Sequence, residues 1–437
     1  MNTNKAILWC DRLAFFAFCA LIYFLPISIA LVESFSGVTL VCFFIKRGII
    51  FGKNVRAQPA VSLREIVKTF LKSFKPIDSD LNKPIALFIF ICFLSVLNSH
   101  YLVLSLKGFF FKLLQWTFLY FVFVEVMTTR KQLRIFLVSF FISAMIVIID
   151  GYFQSITGHD FIYQHELWDG RISSSFRHSN DFGGYLIIVS LALFGLSLFC
   201  RFGNPADKDT FKRMKFLESP IVWRILTVGW CIFSVIALGL TLSRGAWVGF
   251  FAGLVFFTVQ KKKMFLVSAT IIITFIVLFS PRILETRKTY FLEGSGSGRT
   301  VYWQESWNMI RDFPILGVGL NSYSQEAPRY KQSWGGYPHN CYLQMAVETG
   351  IVGLLSFIWL LFVLFRNSLR NLRLIQDDFL QSVLMGLAAG LFGFLAHSFV
   401  DTNFYSVQLG NLMWVIMGAV VATQKIALTS RPVQGRP

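Results

Sequence analysis

The sequence predicts an all-α polytopic membrane protein with about twelve transmembrane helices. Of its 437 residues, 55% are hydrophobic, 49 are Phe, and only 15% are charged. This composition excludes a soluble globular protein. Many apolar runs approach the roughly 20 residues that a helix needs to cross a bilayer. Alternation of apolar and polar residues with a period of two is absent, which disfavours a transmembrane β-barrel.

The apolar runs also predict where the helices cross. They cover residues 13–31, 35–45, 84–99, 102–126, 134–156, 182–200, 223–242, 245–260, 264–280, 342–365, 379–399 and 409–424. The second run is short, and the charge pattern decides whether it is counted as a membrane span. If it crosses and the N-terminus is cytoplasmic, most of the 41 Lys and Arg residues fall in inside connections. Because cytoplasmic loops are enriched in basic residues, both termini are predicted to be cytoplasmic.

The net charge of +18 has the same explanation. In a membrane protein it reflects basic cytoplasmic loops, so no nucleic-acid partner is expected. Residues 1–437 are predicted to form a single integral membrane domain. Within it, 46–83 is predicted to be a cytoplasmic amphipathic loop that rests on membrane lipids, since apolar residues at helical spacing alternate there with Lys and Arg.

Two connections on the outer side are large, 151–181 and 281–341. The second contains a Gly-Ser stretch, Gly294–Gly298, a predicted helix over 300–312, and a turn at Gly317 and Gly319. It is longer than two spans need for their connection, and such loops usually carry function. We therefore expect 281–341 to be a large, partly helical outer loop that supplies part of a site.

Three residues on this outer side have the chemistry to act on an anionic substrate: Arg244, Arg299 and His339. A guanidinium binds phosphate oxygens through two parallel hydrogen bonds. Arg299 also opens a predicted helix, whose free N–H groups favour anions. The imidazole of His339 is the side chain best suited to remove a proton near neutral pH. The alternative functions are an interfacial anchor for Arg244, a solvated loop residue for Arg299 and a helix-start residue for His339.

Other ionisable residues are possible supporting members of this site. Arg171, Arg177 and His178, with Asn180 and Asp181, cluster where the sixth span begins, and His397 and Asp401 have the i,i+4 spacing of a shared helix face. Ordinary interfacial polarity is the alternative for both groups. Glu348 follows His339 by nine residues, roughly 13 Å along a helix, so it needs a partner of its own. No metal-ligand spacing or nucleotide-binding loop is present, so neither a metal nor a cofactor is expected.

Several of these segments together resemble the O-antigen ligase and polymerase superfamily of bacterial envelopes. They are Phe176-Arg-His-Ser-Asn-Asp181, Ser243-Arg-Gly-Ala-Trp247, Gly298-Arg-Thr-Val-Tyr-Trp303 followed by Phe313-Pro-Ile-Leu-Gly-Val-Gly-Leu320, and Pro338-His-Asn-Cys-Tyr-Leu343 followed by Glu348-Thr-Gly-Ile-Val-Gly353. Each motif is short, but their order and spacing match over roughly residues 170–420. Twelve spans with a large outer loop between spans 9 and 10 also resemble the ligases.

The resemblance implies a GT-C-like, metal-independent, inverting glycosyltransferase of the inner membrane with a periplasmic active site. Such enzymes take a glycan from undecaprenyl diphosphate and pass it to lipid A-core or to a growing glycan. By the family pattern, Arg244 and Arg299 would bind the diphosphate and His339 would be the catalytic base.

The motifs do not separate three related activities, because the donor end is the same in each. Ligation of O-antigen to lipid A-core is the first choice, since the topology resembles the ligases. Polymerisation of repeat units is the second, and transfer to protein is the third. A membrane transporter is the alternative from another class, because twelve spans also suit many carriers.

Overall fold

The computed structural model describes residues 3–56, 62–200, 220–260, 262–292, 298–330 and 337–429. Within these ranges the chain is almost entirely helical, and its only β pairing consists of isolated bridges at 159–171. The helices are α1 (Thr3–Phe24), α2 (Ile29–Arg56), α3 (Leu63–Phe74), α4 (Asn82–Leu97), α5 (Leu102–Gly108), a π-helix (Phe109–Leu114), α6 (Gln115–Val126), α7 (Arg130–Thr157), α8 (Ser179–Phe199), α9 (Pro220–Leu240), α10 (Arg244–Gln260), α11 (Phe265–Leu292), α12 (Gly298–Asp312), α13 (Tyr323–Glu326), α14 (Cys341–Leu372), α15 (Asp378–His397) and α16 (Val407–Thr429).

The long apolar helices confirm the predicted fold class. In the described part of the chain, nine helical segments are long and apolar enough to cross a membrane. Three shorter apolar helices, α4, α10 and the Phe265–Pro281 part of α11, lie at the remaining predicted spans. The chain is therefore an all-α polytopic membrane protein, while the number of crossings and their direction stay predictions.

The first two helices differ from the predicted spans. The run predicted over 13–31 is divided, because α1 ends at Phe24 and α2 begins at Ile29. Pro26 lies between them; it lacks an amide hydrogen and disfavours the helical conformation of the residue before it. The short second span is in fact part of the 28-residue α2, so 46–56 is helical. The amphipathic part of 46–83 is α3, which Ser62 and Glu65 begin with a reciprocal capping box.

The most buried helices form the centre of the bundle. In α8, α15 and α16 about four fifths of the apolar segment is buried, against 22% in α9. Glycines let these helices approach closely: a Cβ at Gly195 of α8 would lie 2.7 Å from the Cα of Gly386 in α15. One end of this tight core carries the residues described below.

The segment after α12 is fixed against a kink in α14. Gly350, with a φ of 70°, interrupts the helical geometry of α14 and frees carbonyl groups there. Val318 N donates to Val347 O at 2.9 Å, and Ile351 N donates to Pro314 O at 2.9 Å. The predicted helix over 300–312 is confirmed as α12, and the predicted turn is confirmed by positive φ angles at Gly317 and Gly319. The Gly-Ser stretch, apart from Gly298, lies outside the described residues.

Candidate functional site

The starts of α8, α10 and α14 meet the end of α15 at one end of the bundle. Cys341 N, in the first turn of α14, donates to Ser398 O at 2.9 Å, which ties α14 to the turn after α15. A Cβ at Gly183 in α8 would lie 2.7 Å from the Cβ of Ala246 in α10. These contacts bring the starts of three helices and the end of a fourth into one region.

His339 occupies the turn that leads into α14. Its φ of 48° places it in the left-handed region, and its side chain is 41% exposed. Asn340 fixes the next residue of the turn by capping α14 at Tyr342 N and Leu343 N. On the other side, Trp303 Nε1 donates to Pro338 O at 2.9 Å. The backbone on both sides of His339 is therefore held.

The buried Asp401 fixes the imidazole of His339. The two side chains meet at 3.3 Å between Nδ1 and Oδ1. Burial of Asp401 acts to raise the pKa of its carboxyl, but the hydrogen bond with His339 and the neighbouring His397 outweigh burial and lower that pKa to about 2. An ionised carboxylate only accepts hydrogen bonds, so Nδ1 carries the hydrogen and Nε2 keeps its lone pair. In the neutral imidazole, that nitrogen can accept a proton.

A chain of hydrogen bonds continues from Asp401 to the segment before Arg244. Asn180 Nδ2 donates to Asp401 Oδ2, and Asn180 Oδ1 accepts from Arg171 Nη2 at 2.7 Å. Arg171 Nε then donates to Thr241 O at 3.0 Å. The polar cluster expected at the start of α8 thus contacts the His339 pair, with Arg171 and Asn180 as its direct members.

Both predicted arginines lie around the buried His397. Arg244 is the exposed first residue of α10, and a Cβ on the adjacent Gly245 would lie 2.8 Å from His397 Cδ2. Arg299 is exposed in the first turn of α12, close enough for its charge to act on His397. The structure therefore brings Arg244, Arg299 and His339 to the same end of the bundle.

The predicted helix-face pair of His397 and Asp401 is wrong. Helix α15 ends at His397, and Asp401 lies beyond the turn that follows. His397 is fully buried and its Nδ1 lies 2.9 Å from Asn403 Nδ2, whereas its Nε2 has no hydrogen-bond partner among the described residues. Because the Asn403 amide donates to Nδ1, Nε2 carries the hydrogen.

The remaining predicted residues, Arg177, His178 and Glu348, do not lie in one place. Arg177 and His178 are exposed beside Asn180, and partial burial together with the charge of Arg177 lowers the pKa of His178. Glu348 instead lies at the kink of α14, where its carboxylate accepts from Asn321 N at 2.9 Å and Gln344 Nε2 at 3.1 Å. It secures the segment after α12.

The sequence interpretation missed three contributors: Tyr302, whose ring centroid lies 6.5 Å from that of His339, and the two hydrogen-bond donors Trp303 and Asn403. The first two follow Arg299 within one helical turn, which was a usable signal; no spacing pointed to Asn403. Among the residues that the structure describes, no group of three or more His, Cys, Asp or Glu side chains could hold a metal ion.

One comparison with known proteins matches the region that carries the two arginines and His339. A family model described as O-antigen ligase matches residues 229–358, which include Arg244, Arg299 and His339. The exopolysaccharide production protein ExoQ of Rhizobium meliloti (strain 1021) is 31% identical over 106 residues, which is 22% of this chain and 24% of that protein. The match thus spans about a quarter of the relative's length. Residues 229–358 are therefore similar to the O-antigen ligase family, in agreement with the resemblance carried by the motifs.

Proposed function

We propose that this protein is a glycosyltransferase that moves a glycan from undecaprenyl diphosphate to a sugar hydroxyl, on the periplasmic face of the bacterial inner membrane. The observation that carries the proposal is the pair formed by His339 and the ionised Asp401, with Arg244 and Arg299 at the same end of the bundle. In this arrangement, the proton-accepting nitrogen of His339 is defined, and two arginines that can bind a diphosphate lie at the same end of the bundle.

The reaction uses His339 as general base. Its Nε2 accepts the proton of the acceptor hydroxyl, and the hydroxyl oxygen forms a bond to the anomeric carbon of the donor. The bond from that carbon to the phosphate oxygen breaks, and its electron pair leaves with undecaprenyl diphosphate. Attack opposite the leaving group inverts the configuration at the anomeric carbon. Asp401 keeps Nδ1 protonated and stabilises the imidazolium that forms.

Arg244 and Arg299 have the role of holding the leaving diphosphate. Each lies in the first turn of a helix, where N–H groups without helical partners add to the attraction for an anion. A guanidinium also offers a planar pair of donors for phosphate oxygens. Neutralising charge that develops on the diphosphate lowers the barrier for its departure. In this proposal the arginines do this without a metal ion.

Ligation of O-antigen to lipid A-core is the first candidate for the acceptor step, because the matching family model is described as O-antigen ligase. Polymerisation is the second, favoured by the similarity to an exopolysaccharide production protein. Both reactions use the same donor chemistry and differ only in the acceptor hydroxyl.

Reconstitution with purified substrates tests the proposal. The purified protein is mixed with an undecaprenyl diphosphate-linked oligosaccharide and either lipid A-core or a second lipid-linked oligosaccharide. Glycosylated lipid A-core supports ligation, and a lengthened lipid-linked glycan supports polymerisation. If vesicles containing the protein move the lipid-linked glycan across the bilayer and neither product forms, the protein is a transporter and the proposal is wrong.

A further inference from the structure

Two tryptophans and two arginines form a stripe along the exposed side of α12. Arg299, Trp303, Trp307 and Arg311 follow one another at four-residue intervals, and we call this set the tryptophan stripe. Trp303 is 37% exposed and Trp307 is 50% exposed. Residues four apart are neighbours on a helix surface, so the stripe extends roughly 18 Å along α12 at 1.5 Å per residue.

The side of α12 next to the stripe packs into the protein. Met309 and Ile310 are buried in a cluster with Val318 and Val347, so α12 lies against the segment that leads to α14. Ser306 Oγ lies 2.9 Å from Tyr323 Oη within the same interface. Beside this interface, Trp303 and Trp307 keep part of their rings exposed.

The stripe begins at the proposed active site. Its first residue, Arg299, is the proposed diphosphate ligand. Trp303 donates to the carbonyl of Pro338, directly before His339, and the ring centroids of Tyr302 and His339 are 6.5 Å apart. At the far end, the guanidinium carbon of Arg311 is 5.8 Å from the ring centroid of Trp307. The exposed aromatic surface is therefore continuous with the group that would hold the diphosphate.

A row of indole rings between guanidinium groups has the chemistry of a saccharide-binding surface. One face of a sugar ring presents C–H groups, which suit the electron-rich face of an aromatic ring. Its rim presents hydroxyls, for which arginine supplies donors. Two exposed tryptophans at a membrane boundary are also found in interfacial belts. Here, however, the two rings lie between two cations along the helix axis, and the row starts at a proposed substrate ligand.

We propose that the tryptophan stripe binds the saccharide of the donor, over the sugar units next to the diphosphate; this rests on the proposed function. A glycan attached to a diphosphate at Arg299 leaves that point along the adjacent surface, which is the stripe. The acceptor is the competing occupant, and the experiment below separates the two.

Binding of two lipids by the purified protein tests the proposal. The probes are undecaprenyl diphosphate that carries an oligosaccharide and bare undecaprenyl diphosphate. We expect Trp307→Leu to weaken binding of the first about tenfold, equivalent to about 1.4 kcal/mol, and to leave the second unchanged. Trp307→Tyr keeps an aromatic face and is expected to retain most of the affinity. Trp168→Leu is the matched control, because Trp168 is 76% exposed in the other large outer connection.

Each other outcome overturns a defined part of the argument. Equal loss of binding to both lipids, or no loss in Trp307→Leu, contradicts saccharide binding by the stripe while the glycosyltransferase proposal stands. Unchanged donor binding with a raised KM for the acceptor assigns the stripe to the acceptor instead. An equal effect of Trp168→Leu indicates an interfacial belt. If the wild-type protein binds neither lipid, the proposed function fails and the stripe proposal fails with it.

Discussion

His339 Nδ1 lies 3.3 Å from Oδ1 of the buried Asp401, and Asn180 donates to the other oxygen of the same carboxylate. The carboxylate is thus held from two sides, and it holds the imidazole in one tautomer. A base whose tautomer is fixed has its proton-accepting nitrogen in one place.

Asp401→Asn should separate orientation of the base from donor binding. The folded-state pKa of Asp401, about 2, is below its usual value of roughly 3.9, so the carboxylate stabilises the fold above that usual value and this stability is lost as pH falls through about 2. Asp401 therefore stays ionised in neutral assays. Removing the carboxylate should lower the rate by about 10²–10⁴-fold and move the acid limb of the pH–rate profile to lower pH.

Asp169→Asn, at an exposed aspartate of the 151–181 connection, is the control. An acid limb that does not move would contradict the pairing.

His339→Asn should abolish general-base catalysis without disturbing the turn. The φ of 48° at His339 strains most side chains, whereas asparagine adopts this conformation readily, so Asn is a cleaner replacement than Ala. We expect transfer to fall about 10²–10⁴-fold while donor binding and thermal stability stay close to wild type. His159→Asn changes an exposed outer histidine and should have no effect. Undiminished transfer in His339→Asn would place the base elsewhere, with His178 the next candidate.

The sequence predicted the features that depend on residues close together in the chain. It did not predict the contacts between distant segments. Apolar runs and basic loops located all the long helices, because burial in lipid and charge asymmetry act locally along the chain. The division at Pro26 was missed because the run stays apolar through the turn. In the site, the motifs supplied the three main residues, but the pairing of His339 with Asp401 was not predictable. The i,i+4 spacing pointed to His397 instead, since no Gly or Pro marks the end of α15.

Thiol labelling should establish which side of the membrane the site occupies. All seven native cysteines are buried or partly buried, so background labelling should be low. A cysteine replacing the exposed Gln304 in α12 should react with a membrane-impermeant reagent added from outside, since this connection is predicted to be periplasmic. A cysteine replacing the exposed Lys68 in α3 should react only after permeabilisation. The opposite pattern would invert the predicted topology.

Arginine variants should show whether the diphosphate needs the fork geometry of guanidinium. We expect Arg244→Ala and Arg299→Ala each to cost about 3–4 kcal/mol of transition-state stabilisation, by analogy with loss of an oxyanion donor. Arg→Lys at either position should recover only part of the rate, because an ammonium cannot bind two oxygens in a plane. Single-turnover transfer with equal amounts of each protein measures this. Arg64→Ala, at an exposed arginine of α3 away from the site, is the control for lost surface charge. Wild-type transfer by either alanine variant would contradict the clamp.

A methyl group at Gly245 should disturb the site by overpacking. An added Cβ there would lie 2.7 Å from Val400 Cγ2 and 2.8 Å from His397 Cδ2, both closer than carbon atoms normally approach. The turn after α15 must shift to make room, and that turn carries Asp401. We therefore expect Gly245→Ala to destabilise the protein by about 1–3 kcal/mol and to reduce transfer more than donor binding.

Gly229→Ala in α9 is the matched control, because nothing lies within 4 Å of its added Cβ, and it should be neutral or slightly stabilising. Thermal unfolding in detergent and transfer assays on both variants measure the two effects. Equal behaviour of the two alanines would mean that the turn adapts without moving the carboxylate.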